Sequence, residues 1–147
     1  MAIPIQSITS INSVLAIQIP GVYDSPVQIS RFSVDDMFDL DPAAHVEHRM
    51  GVDGHLSGGF VYKERTMKVK LEADSPSRQI FDDWYSGMAT IGNVIFAQAT
   101  ITMADNGSVY TLTNGLLTSY MDMPAAKRTL QPVEYTIVWE SVIKSNL

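Results

Sequence analysis

The chain has 147 residues, a net charge of −6 and no cysteine, which fits one domain and excludes disulfides, thiolate metal sites and cysteine nucleophiles. Ten Lys and Arg against sixteen Asp and Glu argue against a protein that grips nucleic acid, because holding phosphates takes a basic patch. The start Met1-Ala2-Ile3-Pro4-Ile5-Gln6 lacks the basic, then apolar, character of a signal peptide, and no apolar run approaches the ~20 residues of a membrane helix, so a soluble cytoplasmic protein is expected.

Strand signals dominate: β-branched and aromatic residues separated by turn residues. The first predicted strand runs from Ile8 to Ile19 and ends at Pro20-Gly21; the second covers Val27 to Val34. An acidic stretch, Asp35 to Pro42, follows, and a third strand is expected from His45 to Val52, before Asp53-Gly54. The span of about 35–59 reads either as a long loop or as two extended strands turning at Asp53-Gly54. Connections of this length in compact domains tend to be functional or disordered. From Gly59 to Leu71 a fourth strand is expected, in which Met67, Val69 and Leu71 alternate with Thr66, Lys68 and Lys70, the two-residue period of a strand with one dry face.

A helix comes next. Asp74-Ser75-Pro76-Ser77 offers an N-cap with proline at the first helical position. Ile80, Phe81, Trp84 and Met88 fall at helical spacing and form its packing face, and Gly87 or Gly92 ends it. Three long strands close the chain. Asn93 to Met103 places Gln98, Thr100 and Thr102 on its polar face; Asp105-Asn106-Gly107 predicts a hairpin turn. Ser108 to Met123 carries Thr111 and Thr113 and a bulge signal at Asn114-Gly115; Arg128 to Val142 is the last strand. The fold class is therefore mainly β with one helix, in a single domain over 1–147.

Little chemistry is legible. His45, His48 and His55 lie near Glu47 and Asp53, but an i, i+3 histidine pair in an extended segment is not the i, i+4 helical zinc arrangement. Asp35, Asp36, Asp39 and Asp41 lack the glycine and final glutamate of a calcium loop, and Phe38 and Leu40 interrupt them. Leu56-Ser57-Gly58-Gly59 lacks the lysine of a phosphate loop, and Asp82 and Asp83, adjacent on a helix, point apart and make a poor acid–base pair. Lys63, Arg65, Lys68 and Lys70 read as edge protection or a partner contact. No cofactor, metal or catalytic group is expected, and the protein is expected not to be an enzyme.

Several segments taken together carry a resemblance: Asp36-Met37-Phe38-Asp39-Leu40-Asp41-Pro42, then Met50-Gly51-Val52-Asp53-Gly54-His55-Leu56-Ser57-Gly58-Gly59-Phe60, Leu71 to Ser77, Phe81-Asp82-Asp83-Trp84, Tyr110 to Gly115, Leu130-Gln131-Pro132 and Ile137 to Val142. In order and spacing the chain resembles tail tube proteins of contractile-tailed bacteriophages, over nearly its whole length after Ser30. The resemblance implies a β-sandwich or rolled barrel with a flanking helix, subunits in sixfold rings stacked into a tube, and residence in the virion tail after assembly in the host cytoplasm. It implies a sheath outside, a tape-measure protein inside, baseplate and tail terminator proteins at the ends, and DNA passing through the lumen without specific binding. The long loop would reach an adjacent subunit or ring, which nominates Asp36, Phe38, Asp39, Asp41, His45, His48, Met50, Asp53 and His55 as contact residues. Gln98, Thr100, Thr102, Thr111 and Thr113 are candidates for the lumen.

Physical reasoning agrees with a ring, since closing a sheet through neighbouring subunits removes exposed strand edges. About four strands from each of six subunits, ~4.8 Å apart and tilted by ~40°, give a backbone diameter of about 50 Å; side chains would narrow the channel to roughly 35–40 Å, enough for duplex DNA. Six copies at −6 make −36 per ring, a repulsive object at low salt. The competing expectations are a tail-tip β-sandwich binding module and the tube of a tailocin or secretion apparatus.

Overall fold

The computed structural model describes residues 13–33, 37–103 and 107–146. Ile8 to Asn12 of the first predicted strand, Asp35 and Asp36, and the Asp105-Asn106 turn pair lie outside the described residues. The described strands are β1 (Ser13–Ile19), β2 (Tyr23–Gln28), β3 (Phe38–Leu40), β4 (Val46–Met50), β5 (Leu56–Phe60), β6 (Arg65–Leu71), β7 (Ala97–Met103), β8 (Ser108–Ser119) and β9 (Val133–Asn146), with one helix, α1 (Arg78–Ile91). Seven strands form an antiparallel sheet in the order β2-β1-β7-β8-β9-β6-β3, and β4 and β5 pair apart from it.

The sheet rolls. Residue Ile29 still bonds to β1, its N–H donating to the Leu15 carbonyl at 2.8 Å, whereas Phe32 already pairs with Leu71 of β6. Three residues reach at most about 10 Å, so the chain crosses from one side of the sheet to the other in a single step and the two sides must curl towards each other. Arg31 makes this turn at φ 54°. Buried Ser75 and Ser77 fasten it: the Ser75 hydroxyl donates to the Ser30 carbonyl (2.6 Å) and the Ser77 hydroxyl accepts from the Ser30 N–H (2.8 Å).

Inside the roll sits one core. Leu15, Ile17 and Ile19 of β1, Met67, Val69 and Leu71 of β6, Ala97, Ala99 and Ile101 of β7 and the alternating Val133, Tyr135, Ile137 and Trp139 of β9 are all buried. The helix closes one end, with Ile80, Phe81 and Trp84 buried and Met88 half-buried against the same core. Phe81 stacks on Tyr135 at 4.2 Å and 7°, and the Trp84 indole N–H donates to the Ile95 carbonyl at 2.9 Å.

The long strands β8 and β9 turn a corner together. Their inward residues are Leu112 and Val142 on one side and Gly115 and Trp139 on the other. These lie three positions apart in each strand, so strict alternation is broken in both. Asn114 takes φ 50° at the corner, and β7 pairs Ala99 with Leu112 but Ala97 with Gly115, the extra residue of a bulge. A polar clasp holds it: Gln98 donates to the Asn114 side chain (2.8 Å) and accepts from the Asn114 N–H (3.3 Å), and Asn114 donates to Glu140. Gly115 is required here because a Cβ on it would lie 2.5 Å from the Trp139 ring.

Several expectations are corrected. The second strand is Tyr23–Gln28, not Val27 to Val34: the Pro20-Gly21 turn, with Gly21 at φ 87°, returns the chain at once, and Pro26 is tolerated because β2 is an edge strand. The predicted strand Gly59 to Leu71 is two elements, β5 and β6, in different sheets. The expected N-cap and first-position proline are displaced. Pro76 precedes the cap residue Ser77, which makes no side-chain cap because its hydroxyl serves Ser30. The helix ends at Gly92, at φ 65°. The eighth strand stops at Ser119 rather than Met123, and the ninth begins at Val133 and extends to Asn146.

Two substitutions test this core. Gly115→Ala forces a methyl into the Trp139 ring and should destabilise by about 1–3 kcal/mol; Trp84→Ala should cost about 3–5 kcal/mol. Urea unfolding monitored by far-UV circular dichroism measures both, and a neutral Gly115→Ala would mean the corner yields freely.

Candidate functional site

The most exposed structure is an arm between β3 and β6. Its tip is built by Gly51 to His55: the Gly51 N–H donates to the His55 carbonyl (2.8 Å), the Gly54 N–H to the Gly51 carbonyl (3.0 Å), and the Asp53 carboxylate accepts from the His55 N–H (3.1 Å). Gly54 sits at φ 87°, which glycine adopts without steric cost. The register pairs Val46 with Phe60, His48 with Gly58 and Met50 with Leu56, so one face is apolar. The pairs Glu47–Gly59 and Arg49–Ser57 make the other face polar. At the base, Phe60 meets Tyr62 edge-on at 5.2 Å and lies 6.1 Å from the His45 ring.

Every residue of β4 and β5 is exposed. Met50 and Leu56 are each 64% exposed, Phe60 67% and Tyr62 92%. A two-stranded ribbon is marginal by itself, and an apolar face of this kind marks an interaction surface. Burying what Met50, Leu56 and Phe60 still expose would contribute about 3–6 kcal/mol before the costs of association.

The predicted contact residues divide. His45, His48, Met50, Asp53 and His55 are on or beside the arm. Phe38, Asp39 and Asp41 are not: β3 is an edge strand of the main sheet, where Phe38 packs on Phe32 at 5.5 Å and on the core, Asp39 pairs with Lys68, and the Asp41 N–H donates to the Thr66 carbonyl. Asp36 is outside the described residues. Sequence reasoning passed over Val46, Leu56 and Phe60, though V-x-H-x-M and L-x-G-x-F are alternating patterns. Among the described residues no group of three or more His, Cys, Asp or Glu is placed to hold a metal, and no helix is long and apolar enough to cross a membrane.

The five lumen candidates share one sheet face. Thr100 pairs with Thr111, Thr102 with Val109, and Thr113 with Ser141. The same face takes Val14, Ala16 and Gln18 from β1, and Ile143 and Ser145 from β9. None of these outward residues is charged. On the opposite wall of the roll, outward Asp39, Lys68, Lys70 and Glu134 surround Thr66, Thr136 and Val138, so charge is segregated by face.

Beyond the arm, Phe38, Leu40, Met67, Ile101, Met103, Tyr110 and Val142 line an apolar hollow of about 330 Å³ at the end of the roll opposite α1. At the helix end, two carboxylates are occupied structurally. Asp82 accepts from the Tyr120 hydroxyl, which stacks on Tyr85 at 4.5 Å, and Asp83 accepts from Tyr23 and from Gln79. The two point in different directions from α1, as adjacent helical residues must, and each ties the helix to a different strand or loop. The hydrogen bond to Asp83, then burial, pushes the Tyr23 phenol up to about 12; burial, then Asp82, pushes Tyr120 up as well.

Residues 6–143 match the family model described as tail fiber protein gp32. No curated protein matches the chain. Among solved structures, the chain is similar to one from the tube-terminating cap of the anti-feeding prophage (12% identity, 100% of this chain and 95% of that one, TM-score 0.62). It is also similar to a chain of the sheath/tube terminator of an extracellular contractile injection system, PVC, in the extended state (14% identity, 95% and 96%, TM-score 0.64). A third is from the PVC sheath–tube complex (15% identity, 90% and 88%, TM-score 0.57). At these identities the likeness is one of fold: a β-sandwich rolled around one core, with one helix.

The raised phenol pKa values give a pH prediction. A tyrosine that holds its proton more tightly when folded stabilises fully below its unfolded value near pH 10, and that stabilisation is lost as the pH rises towards about 12. Melting temperature should therefore fall between pH 10 and 12, and the double variant Tyr23→Phe, Tyr120→Phe should flatten that fall while losing on the order of 1 kcal/mol per hydrogen bond at pH 7. An unchanged alkaline slope would disprove the linkage.

Proposed function

This chain belongs to the tail fiber protein gp32 family, and on that premise we propose that it is the structural, non-enzymatic subunit of a phage tail tube. Six subunits form a ring, rings stack into a hollow conduit, and the genome leaves through it. The observation that carries this reading is the arm: an amphipathic ribbon whose apolar face is wholly exposed needs a partner surface, and a second copy of the chain supplies one at every position of a repeating assembly. The fold shared with chains from tube-containing assemblies supports the same reading. In it, His45, His48, Met50, Asp53 and His55 contact the adjacent subunit or ring. Sheath, tape-measure, baseplate and terminator proteins are its partners in a virion tail assembled in the host cytoplasm.

The family description favours a second reading, a solid fibre, and cross-sections separate the two. Negative-stain electron microscopy across a concentration series should show hollow rings or tubes, whereas solid filaments would establish the fibre. Replacing residues 46–60 with a short turn should leave a folded monomer, by circular dichroism and light scattering, that no longer assembles. Normal assembly of that variant would remove the arm from the interface.

A further inference from the structure

The uncharged sheet face is unusual for either of the two fates open to an exposed surface. A solvent-facing wall of a soluble protein ordinarily carries interspersed charge, as the opposite wall of this roll does with Asp39, Lys68, Lys70 and Glu134. A wall buried against a partner is ordinarily apolar at its centre, but the centre here is Thr100 paired with Thr111, both exposed. Although the sequence carries 26 charged side chains, ten Lys and Arg and sixteen Asp and Glu, the outward residues that β1, β7, β8 and the end of β9 bring to this face, from Val14, Ala16 and Gln18 across Thr100 and Thr111 to Ile143 and Ser145, are hydroxyls, amides and small apolar groups. The exception is Glu140, an exposed carboxylate at the margin of this face that accepts a hydrogen bond from the neutral Asn114 amide.

We infer that this face is the wall of the conduit and that, away from Glu140 at its margin, it is uncharged by construction, an inference that rests on the tube reading. Duplex DNA carries about one negative charge per 1.7 Å of its axis. Lysine or arginine on the wall would release counterions and hold the duplex; aspartate or glutamate would repel it, with a strength set by ionic strength. Threonine and serine hydroxyls exchange hydrogen bonds with water and phosphate but present no fixed charge. The duplex then slides with little dependence on salt. Among the described residues, Asp39, Lys68, Lys70 and Glu134 lie on the opposite wall, so their charges do not act at this one.

The absence of cysteine makes a direct test available. In assembled tubes, Thr111→Cys should react with a small maleimide but not with a maleimide on a globular carrier wider than the channel, while Lys68→Cys, on the opposite wall, should react with both. Tubes of Thr100→Lys, Thr111→Lys should then retain a short DNA duplex more than about tenfold better at 50 than at 200 mM salt, and unsubstituted tubes should retain little at either. Failure to form any hollow assembly overturns the tube reading and this inference together. Hollow tubes whose Thr111→Cys reacts with the carrier leave the tube standing and overturn the wall assignment. Strongly salt-dependent retention by unsubstituted tubes overturns its neutrality.

Discussion

The contact of Gly115 with the face of the Trp139 ring sets the shape on which the other features depend. Two long paired strands can serve both walls of a roll only if they bend in register, and β8 and β9 do so at the same place. The bend needs room for a large buried aromatic beneath the backbone, which glycine alone provides there, and a residue at positive φ beside it, which Asn114 provides. Trp139 then fills the space the curvature creates. The clasp of Gln98, Asn114 and Glu140 spans three strands on the outer side of the same corner. A flat sheet of these strands would leave Trp139 without a cover and would separate the edges that the Ile29–Phe32 crossing joins.

The helix is a stopper fixed from several directions. Its apolar stripe supplies Phe81 and Trp84 to the core, and its first turn is held through Ser77 to the crossing strand. Its two carboxylates are held by tyrosines from the β1–β2 hairpin and from the segment after β8. Carboxylates that in the bare sequence raise the question of acid–base chemistry thus have a mechanical role. The hydrogen bond to Asp83 at Tyr23, and burial and then the hydrogen bond to Asp82 at Tyr120, raise both phenols above the ordinary tyrosine value, so these ties persist into alkaline solution.

Against this closed body, the arm and the uncharged face stand out because neither is explained by the needs of a monomer. The arm exposes apolar side chains that the body had room to bury only by refolding the ribbon, whose register is fixed by five consecutive pairs. The face withholds charge from an acidic protein. The proposed assembly into a hollow repeat would account for both: the arm would meet another copy, and the face whatever passes through. The wall that would then face outward carries basic Lys68 and Lys70 beside acidic Asp39 and Glu134.

Local patterns in the sequence determined the dry face of β6, the amphipathic helix with Ile80, Phe81 and Trp84, and the bulge at Asn114-Gly115, because each depends on period and turn chemistry within a few residues. The polar face of Gln98, Thr100, Thr102, Thr111 and Thr113 was legible for the same reason, although its neutrality across four strands was not, since that depends on which strands are neighbours. The division of Gly59 to Leu71 between two sheets, the diversion of Ser77 from capping to Ser30, and the placing of Phe38 in the body rather than on the arm were decided by tertiary structure alone. Each is a competition between a local preference and a partner distant in sequence. A residue string carries the preference, but only the folded chain brings the partner within hydrogen-bonding or van der Waals reach.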